Sequence, residues 1–107
     1  MPQARLFVYG TLRRGSPNKF AKLLADNSRF IGDARMRGRL HQFSNYSGAV
    51  PSDRPNEWVR GELFELLDPS ILGRLDEYEG SEFRRVLLTV SLDGQELEAW
   101  VYILTHA

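Results

Sequence analysis

Leu6-Phe7-Val8-Tyr9-Gly10-Thr11-Leu12-Arg13-Arg14-Gly15-Ser16-Pro17-Asn18 is the stretch that decides the fold of this chain. A short apolar run breaks at Gly10, passes through a basic pair and a second glycine, and reaches Ser16-Pro17, a helix-opening pair. Residues 5–9 read as a strand apolar on both faces, hence a central one. Ser16 is the expected N-cap and Pro17 the first helical residue. Phe20, Leu23 and Leu24 then fall at the i, i+3, i+4 spacing of a buried stripe, and the helix is expected to end near Asp26-Asn27. A strand that stops at a glycine and feeds a helix N-terminus leaves several backbone N–H groups without internal partners. Such groups form a cradle for a carboxylate or phosphate. The competing reading is a glycine that only makes the turn.

Downstream, Ser28 to Phe43 alternates in part (Ala34, Met36, Gly38, Leu40) and reads as one long or bent strand, or as two joined at a glycine. Asn45-Tyr46-Ser47-Gly48 is a turn, Ala49-Val50-Pro51 a short strand, and Ser52 to Glu57 a polar loop. Trp58 to Leu66 alternates as a strand. Asp68-Pro69 signals a helix start, with Ile71, Leu72, Leu75 and Tyr78 as the apolar face and Gly80 as the stop. Arg85–Leu92 and Glu96–Leu104 form a final hairpin across Asp93-Gly94. Two short helices among about six strands predict an α+β fold, a small, mixed, mostly antiparallel β-barrel. The missing βαβ series argues against a doubly wound sheet.

The 107 residues are read as one domain, 1–107. Fourteen basic residues balance fourteen acidic ones, which argues against a nucleic-acid partner or a membrane surface. Arg35, Arg37 and Arg39 alternate along one strand face and read as solvated. With 42% hydrophobic and 11% aromatic residues the composition is that of a globule. Cysteine is absent, so there is no disulfide framework, thiolate nucleophile or cysteine metal site. His41 and His106 lie far apart and read as surface or strand residues, not as ligands. No metal or cofactor is expected. The N-terminus lacks the apolar core of a signal peptide, no run reaches membrane-spanning length, and a cytoplasmic location is the expectation. Asn45-Tyr46-Ser47 fits a glycosylation sequon, which carries little weight without an export signal. Trp58 and Trp100 are assigned to the core.

Chemistry is expected in the acidic cluster Asp76, Glu77 and Glu79. Glu77 and Glu79 are about 200° apart around a helix and do not face each other as a dyad. Glu79 sits beside the terminating Gly80, where the negative end of the helix dipole disfavours a carboxylate. With Tyr78 adjacent and Asp76 one turn back, its pKa is expected to rise, giving a general base near neutral pH. The plainer alternative is a solvated glutamate at a frayed helix end.

Taken in order, "VYGTLRRG…PN", "GELFEL", "LDEYEG" and the final "AWVYIL" strand resemble the γ-glutamylcyclotransferase-like superfamily, in the branch with γ-glutamylamine cyclotransferase and the AIG2-like proteins. The resemblance covers nearly the whole chain. It implies a small mixed barrel with a cavity, in which Tyr9, Gly10, Thr11 and Leu12 bind the α-amino-acid end of a γ-glutamyl substrate and Glu79 is the acid/base. Glu77 has no chemical role in the family. Tyr102 resembles the tyrosine that often lines the cavity, and a core aromatic is the equal alternative. The implied reaction closes the substrate's α-amino group onto its own γ-carbonyl, giving 5-oxoproline and a free amine or amino acid.

The chain departs from its relatives at three places. Tyr46-Ser47-Gly48 replaces a common Tyr-Pro-Gly, Phe83 replaces a tyrosine before Arg84, and the C-terminal extension that covers the cavity in several relatives is expected to be missing after Ala107. A shorter cover widens substrate access or leaves the site wetter. The leaving amine and the oligomeric state stay open. A non-catalytic protein that keeps the pocket is the alternative function, favoured if Glu79 is locked to Arg84 or Arg85. Removal of a γ-glutamyl group from a specialised intermediate is a third reading, with the same chemistry and a different leaving amine.

Overall fold

The computed structural model describes residues 4–43 and 46–105. Its elements follow in the order β1 (Arg5–Val8), α1 (Lys19–Asp26), β2 (Ser28–Gln42), β3 (Ser47–Pro51), β4 (Trp58–Leu66), α2 (Ile71–Glu79), β5 (Phe83–Leu92) and β6 (Gln95–Leu104). All six strands share one sheet, ordered β1-β4-β2-β3-β6-β5, and further pairings β1–β6 and β2–β5 close it on itself. The β1–β6 and β3–β6 pairings are parallel and the others antiparallel. This is the mixed barrel that the alternation predicts, and closure leaves few free strand edges.

The central position of β1 explains its apolar run. It pairs antiparallel with β4 and parallel with β6. Leu6 and Val8 pack on one side with Leu24, Leu72 and Leu75 of the two helices. Phe7 points the other way, into a cluster with Met36, Leu63 and Val101. Both parities of the strand are therefore buried, and neither can be polar.

Several elements differ from their sequence expectation. Helix α1 is capped by Asn18, whose Oδ1 accepts the Phe20 N–H at 2.7 Å. Ser16 and Pro17 lie before the cap, because Asn is as good a cap as Ser and here completes the bond to the second helical N–H. The loop after β1 thus does not run straight into a helix N-terminus. Asp68-Pro69 makes a turn before α2: Asp68 Oδ1 accepts from Ser70 N–H at 3.1 Å and from Ser70 Oγ at 2.6 Å, and the helix begins at Ile71. Strand β2 is one continuous element with a register shift between Phe30 and Gly32.

Gly80 closes α2 at φ 75°, ψ −170°, a region open essentially to glycine alone. The β5–β6 turn has Asp93 at φ 50° and Gly94 at φ 80°, the positive pair that a two-residue hairpin of matching twist requires. Trp58 is not in the core. It lies half-exposed on the outer face, with the Arg35 and Arg37 guanidiniums 4.0 and 5.1 Å from its ring. Trp100 does pack against the helix-side cluster, under Arg85 at 4.3 Å. Arg35, Arg37 and Arg39 are exposed, as read from the sequence. Asn45, the acceptor of the sequon, and His106 fall outside the described residues.

Candidate functional site

A cavity of about 600 Å³ opens where the ends of β1 and α2 meet Gln42, Phe43, Tyr46 and Ser47. Its lining includes Tyr9, Gly10, Thr11, Leu12, Glu79 and Tyr102, all six of the residues singled out from the sequence. Residues about 70 positions apart in the chain meet here because α2 packs its buried face on β1.

The loop after β1 is a tight turn: Gly10 O accepts from the N–H and the Nε of Arg13, both at 3.2 Å. Arg14 N–H donates to Glu62 Oε1 at 2.7 Å and ties the next residue to β4. Among the described residues, nothing accepts from the N–H groups of Gly10, Thr11 or Leu12. These three successive donors belong to residues that line the cavity, in a turn rather than at a helix N-terminus.

Glu79 is half-buried, and burial lifts its carboxyl from 4.5 to about 7. The rise was expected, yet its cause is desolvation, with Asp76 occupied elsewhere. Asp76 accepts from Arg85 Nε at 2.8 Å, from the other arm of the guanidinium at 3.1 Å, and from the Tyr102 hydroxyl at 2.6 Å. The Arg85 bond is the main reason the Asp76 carboxyl sits below its usual range. Among the described residues Glu79 makes neither an ion pair nor a side-chain hydrogen bond, and Arg85 is spent on Asp76. A buried carboxylate without a fixed partner is available for proton exchange.

The two tyrosines of the sequence reading have structural bonds as well as cavity surface. The Tyr9 hydroxyl donates to Tyr102 O at 2.6 Å and accepts from Ala49 N–H at 3.0 Å, which pins the end of β1 between β3 and β6. Burial pushes this phenol up to about 12. Tyr102 is both buried and part of the cavity lining. Its phenol is raised by burial first and then by the bond to the Asp76 carboxylate.

The sequence places Tyr78 on the apolar face of α2 and beside Glu79, and the structure adds a polar role. It stacks on Phe20 at 4.5 Å, accepts from Asn18 Nδ2 at 2.5 Å, and shares a 2.7 Å hydrogen bond with Thr11 Oγ1. The Asn18 amide orientation is fixed by its cap bond. Thr11 and Tyr78 bring two hydroxyl protons to one mutual bond, so one proton is left for the cavity. The signal available in the sequence was the adjacency of Tyr78 to Glu79, but the partners Thr11 and Asn18 come from the other end of the chain. Phe43, Tyr46, Glu82 and Phe83 complete the mouth and were not assigned roles as binding groups either.

The family model described as "Gamma-glutamyl cyclotransferase, AIG2-like" matches residues 6–107. The chain belongs to this family. Gamma-glutamylaminecyclotransferase from Rattus norvegicus is 31% identical over 92% of this chain and 76% of its own length. The Bos taurus protein of the same name is 34% identical, with 92% of this chain and 64% of its own length covered. Among solved structures, an AIG2-like protein from Mus musculus superposes with a TM-score of 0.78 at 26% identity, over all of this chain and 80% of the other. YkqA from Bacillus subtilis gives 0.79 at 30% identity over 97% of this chain, which spans only 36% of that one.

Within the γ-glutamyl cyclotransferase, AIG2-like fold, the cavity of this chain joins the 9–12 loop, the end of α2 and the start of β5. Among the described residues, no group of three or more His, Cys, Asp or Glu is placed to hold a metal ion. No helix among them is long and apolar enough to cross a membrane.

Proposed function

We propose that the cavity cyclises γ-glutamyl amides, releasing 5-oxoproline and the free amine or amino acid, with Glu79 as the single acid/base. The observation that carries this reading is a half-buried carboxyl raised to about 7, unpaired among the described residues and lining one cavity with three free backbone donors. The family of the chain and the printed name of its relatives support the same reaction class.

Each step follows from what ring closure needs. The substrate's α-carboxylate binds the N–H groups of residues 10–12, which orients the glutamyl chain. Its α-ammonium gives a proton to the Glu79 carboxylate, and the freed amine attacks the γ-carbonyl carbon. The new C–N bond closes a five-membered ring, and the old amide C–N bond breaks. Glu79 returns that proton to the departing nitrogen, and the ring nitrogen gives up its second proton by the same route, so the amine leaves as its ammonium, the ring is the neutral lactam, and the enzyme ends as it began. Positioned proton transfer of this kind is worth on the order of a hundred- to ten-thousand-fold. Intramolecular alignment of the folded chain adds a high effective molarity. The spare hydroxyl proton of the Thr11–Tyr78 pair is available to the γ-carbonyl oxygen as negative charge gathers there. Phe7, Tyr9 and Phe83 supply the apolar walls.

A panel of γ-glutamyl amino acids and γ-glutamyl amines, with 5-oxoproline as the readout, tests the reaction class. Stoichiometric 5-oxoproline and free amine from at least one member is the expected result. Glutamate in place of 5-oxoproline would mean hydrolysis by water and would overturn the cyclisation. A ligand that binds in the cavity without turnover would support the non-catalytic alternative.

A further inference from the structure

Three side chains run in a hydrogen-bonded row from the start of α1 to the cavity, and the row has a direction. Asn18, the cap of α1, stands at its outer end. Its Oδ1 accepts the Phe20 N–H at 2.7 Å, so the amide presents Nδ2 to Tyr78 and donates to the phenol oxygen at 2.5 Å. The same turn fixes the ring, because Phe20 stacks on Tyr78 with centroids 4.5 Å apart. Tyr78 then shares its 2.7 Å bond with Thr11 Oγ1, and both residues line the cavity.

The bond between the two hydroxyls can run either way, and the Asn18 amide selects one. A phenol is a stronger donor and a weaker acceptor than an aliphatic hydroxyl. An oxygen that already accepts a hydrogen bond also donates its own proton more strongly. Both effects send the Tyr78 proton to Thr11 Oγ1. The proton left over is then that of Thr11, which is exposed where Tyr78 is half-buried. Ring closure gains from a donor aimed in advance, since charge gathers on the γ-carbonyl oxygen only as the amine attacks. A carboxylate at position 18 would cap the helix as well as the amide does, yet would accept where the amide donates. The row would then reverse. Tyr78 would donate to position 18 and Thr11 to Tyr78, and no hydroxyl proton would be left for the cavity.

We propose that Asn18 is a positioning residue that, acting through Tyr78, aims the Thr11 hydroxyl proton at the γ-carbonyl oxygen of the substrate. This rests on the cyclisation reading of the cavity. Asn18 lies behind Tyr78 and takes no part in the proton exchange of Glu79.

Asn18→Asp separates the fold from the relay. Urea unfolding is expected to show at least wild-type stability, because aspartate caps equally well and its charge suits a helix N-terminus. Rates are compared well above pH 7, where the Glu79 carboxyl is ionised. There kcat for 5-oxoproline release is expected to fall about a hundredfold with KM within a few-fold, and Thr11→Val, which deletes the donor, falls as far. Tyr78→Phe leaves the Thr11 hydroxyl present but unaimed and costs about tenfold. The double variant is expected to match Tyr78→Phe, so that the second substitution restores part of what Asn18→Asp removes. A merely structural cap would show no such rescue. Wild-type kcat in Asn18→Asp, or a double variant slower than either single one, would overturn the proposal. Neutron diffraction from wild-type crystals grown in D2O reads the direction of the row without substrate. Deuterium on the Tyr78 oxygen, pointing at Thr11 Oγ1, is expected; deuterium running from Thr11 to Tyr78 would overturn the proposal whatever the reaction. If wild type turns over no γ-glutamyl amide while the deuterium lies as expected, cyclisation fails and Thr11 stands as an aimed donor to another ligand.

Discussion

Burial lifts the Glu79 carboxyl to about 7, and a base of that strength is half ionised near neutral pH. The proposed cyclisation needs the carboxylate form in the free enzyme. kcat/KM is therefore expected to fall as pH drops through about 7, with a limiting tenfold loss per pH unit below it, read from initial rates across pH 5 to 9. Folding stability moves the opposite way. A carboxyl with a raised folded pKa binds its proton more tightly when folded, so the native state loses stability as pH rises from about 4.5 to about 7. Glu79→Gln removes that cost. It is expected to stabilise the protein above pH 7, by up to about 3 kcal/mol, and to match wild type near pH 4. Urea unfolding at the two pH values measures the difference. Neighbours at this scale are pinned rather than free: the Tyr9 hydroxyl is committed to Tyr102 O and Ala49 N–H, which leaves its ring for the ligand.

Helix α2 delivers Glu79 to the cavity, and two features fix its last turn. The bidentate Arg85–Asp76 pair and the Tyr102 hydroxyl hold the helix against β5 and β6. Asp76→Ala is expected to cost about 1–3 kcal/mol in chemical unfolding and to lower kcat more than it raises KM, since it shifts the proposed base and not the proposed binding loop. Gly80 then turns the chain through a region closed to other residues, and Gly80→Ala is expected to cost about 1–3 kcal/mol and to misplace Glu79 in the same way. Element boundaries were legible where a residue's local chemistry is decisive, as at Gly80 and at Asp93-Gly94. They were missed where two adjacent residues compete for one role. Ser16-Pro17 and Asn18 both satisfy the rules for a helix start, and only the packing of Phe20 against Tyr78 selects Asn18. Likewise Trp58 has the composition of a core residue, and only its register opposite Arg37 places it outside.

Closure of the sheet is what joins the two motifs. β1 bonds to β4 on one edge and β6 on the other, so the 9–12 loop is held over the barrel mouth from both sides. Gly61 permits this: a Cβ there would collide with the Val8 carbonyl and the Phe7 ring. Gly61→Val is expected to lower the urea midpoint strongly, and to abolish activity in whatever fraction remains folded, because it forces β1 off β4. The barrel and the positions of Glu79 and the loop could be read from the order of motifs along the chain. The polar network through Asn18, Tyr78 and Thr11 could not, since it depends on side chains that meet only after both helices dock. The stack of Phe43 and Tyr46 with Phe83 edge-on at the cavity mouth is of the same kind, assembled from just beyond β2, just before β3 and the start of β5.

The most direct measurement at this level is turnover by Glu79→Gln against wild type, on one γ-glutamyl amide that wild type converts. Glutamine keeps the size of the side chain and removes the base. The expected result is a fall in kcat of a hundredfold or more, with substrate still bound within a few-fold of the wild-type affinity. Turnover at the wild-type rate would contradict the central claim and place the acid/base elsewhere in the cavity.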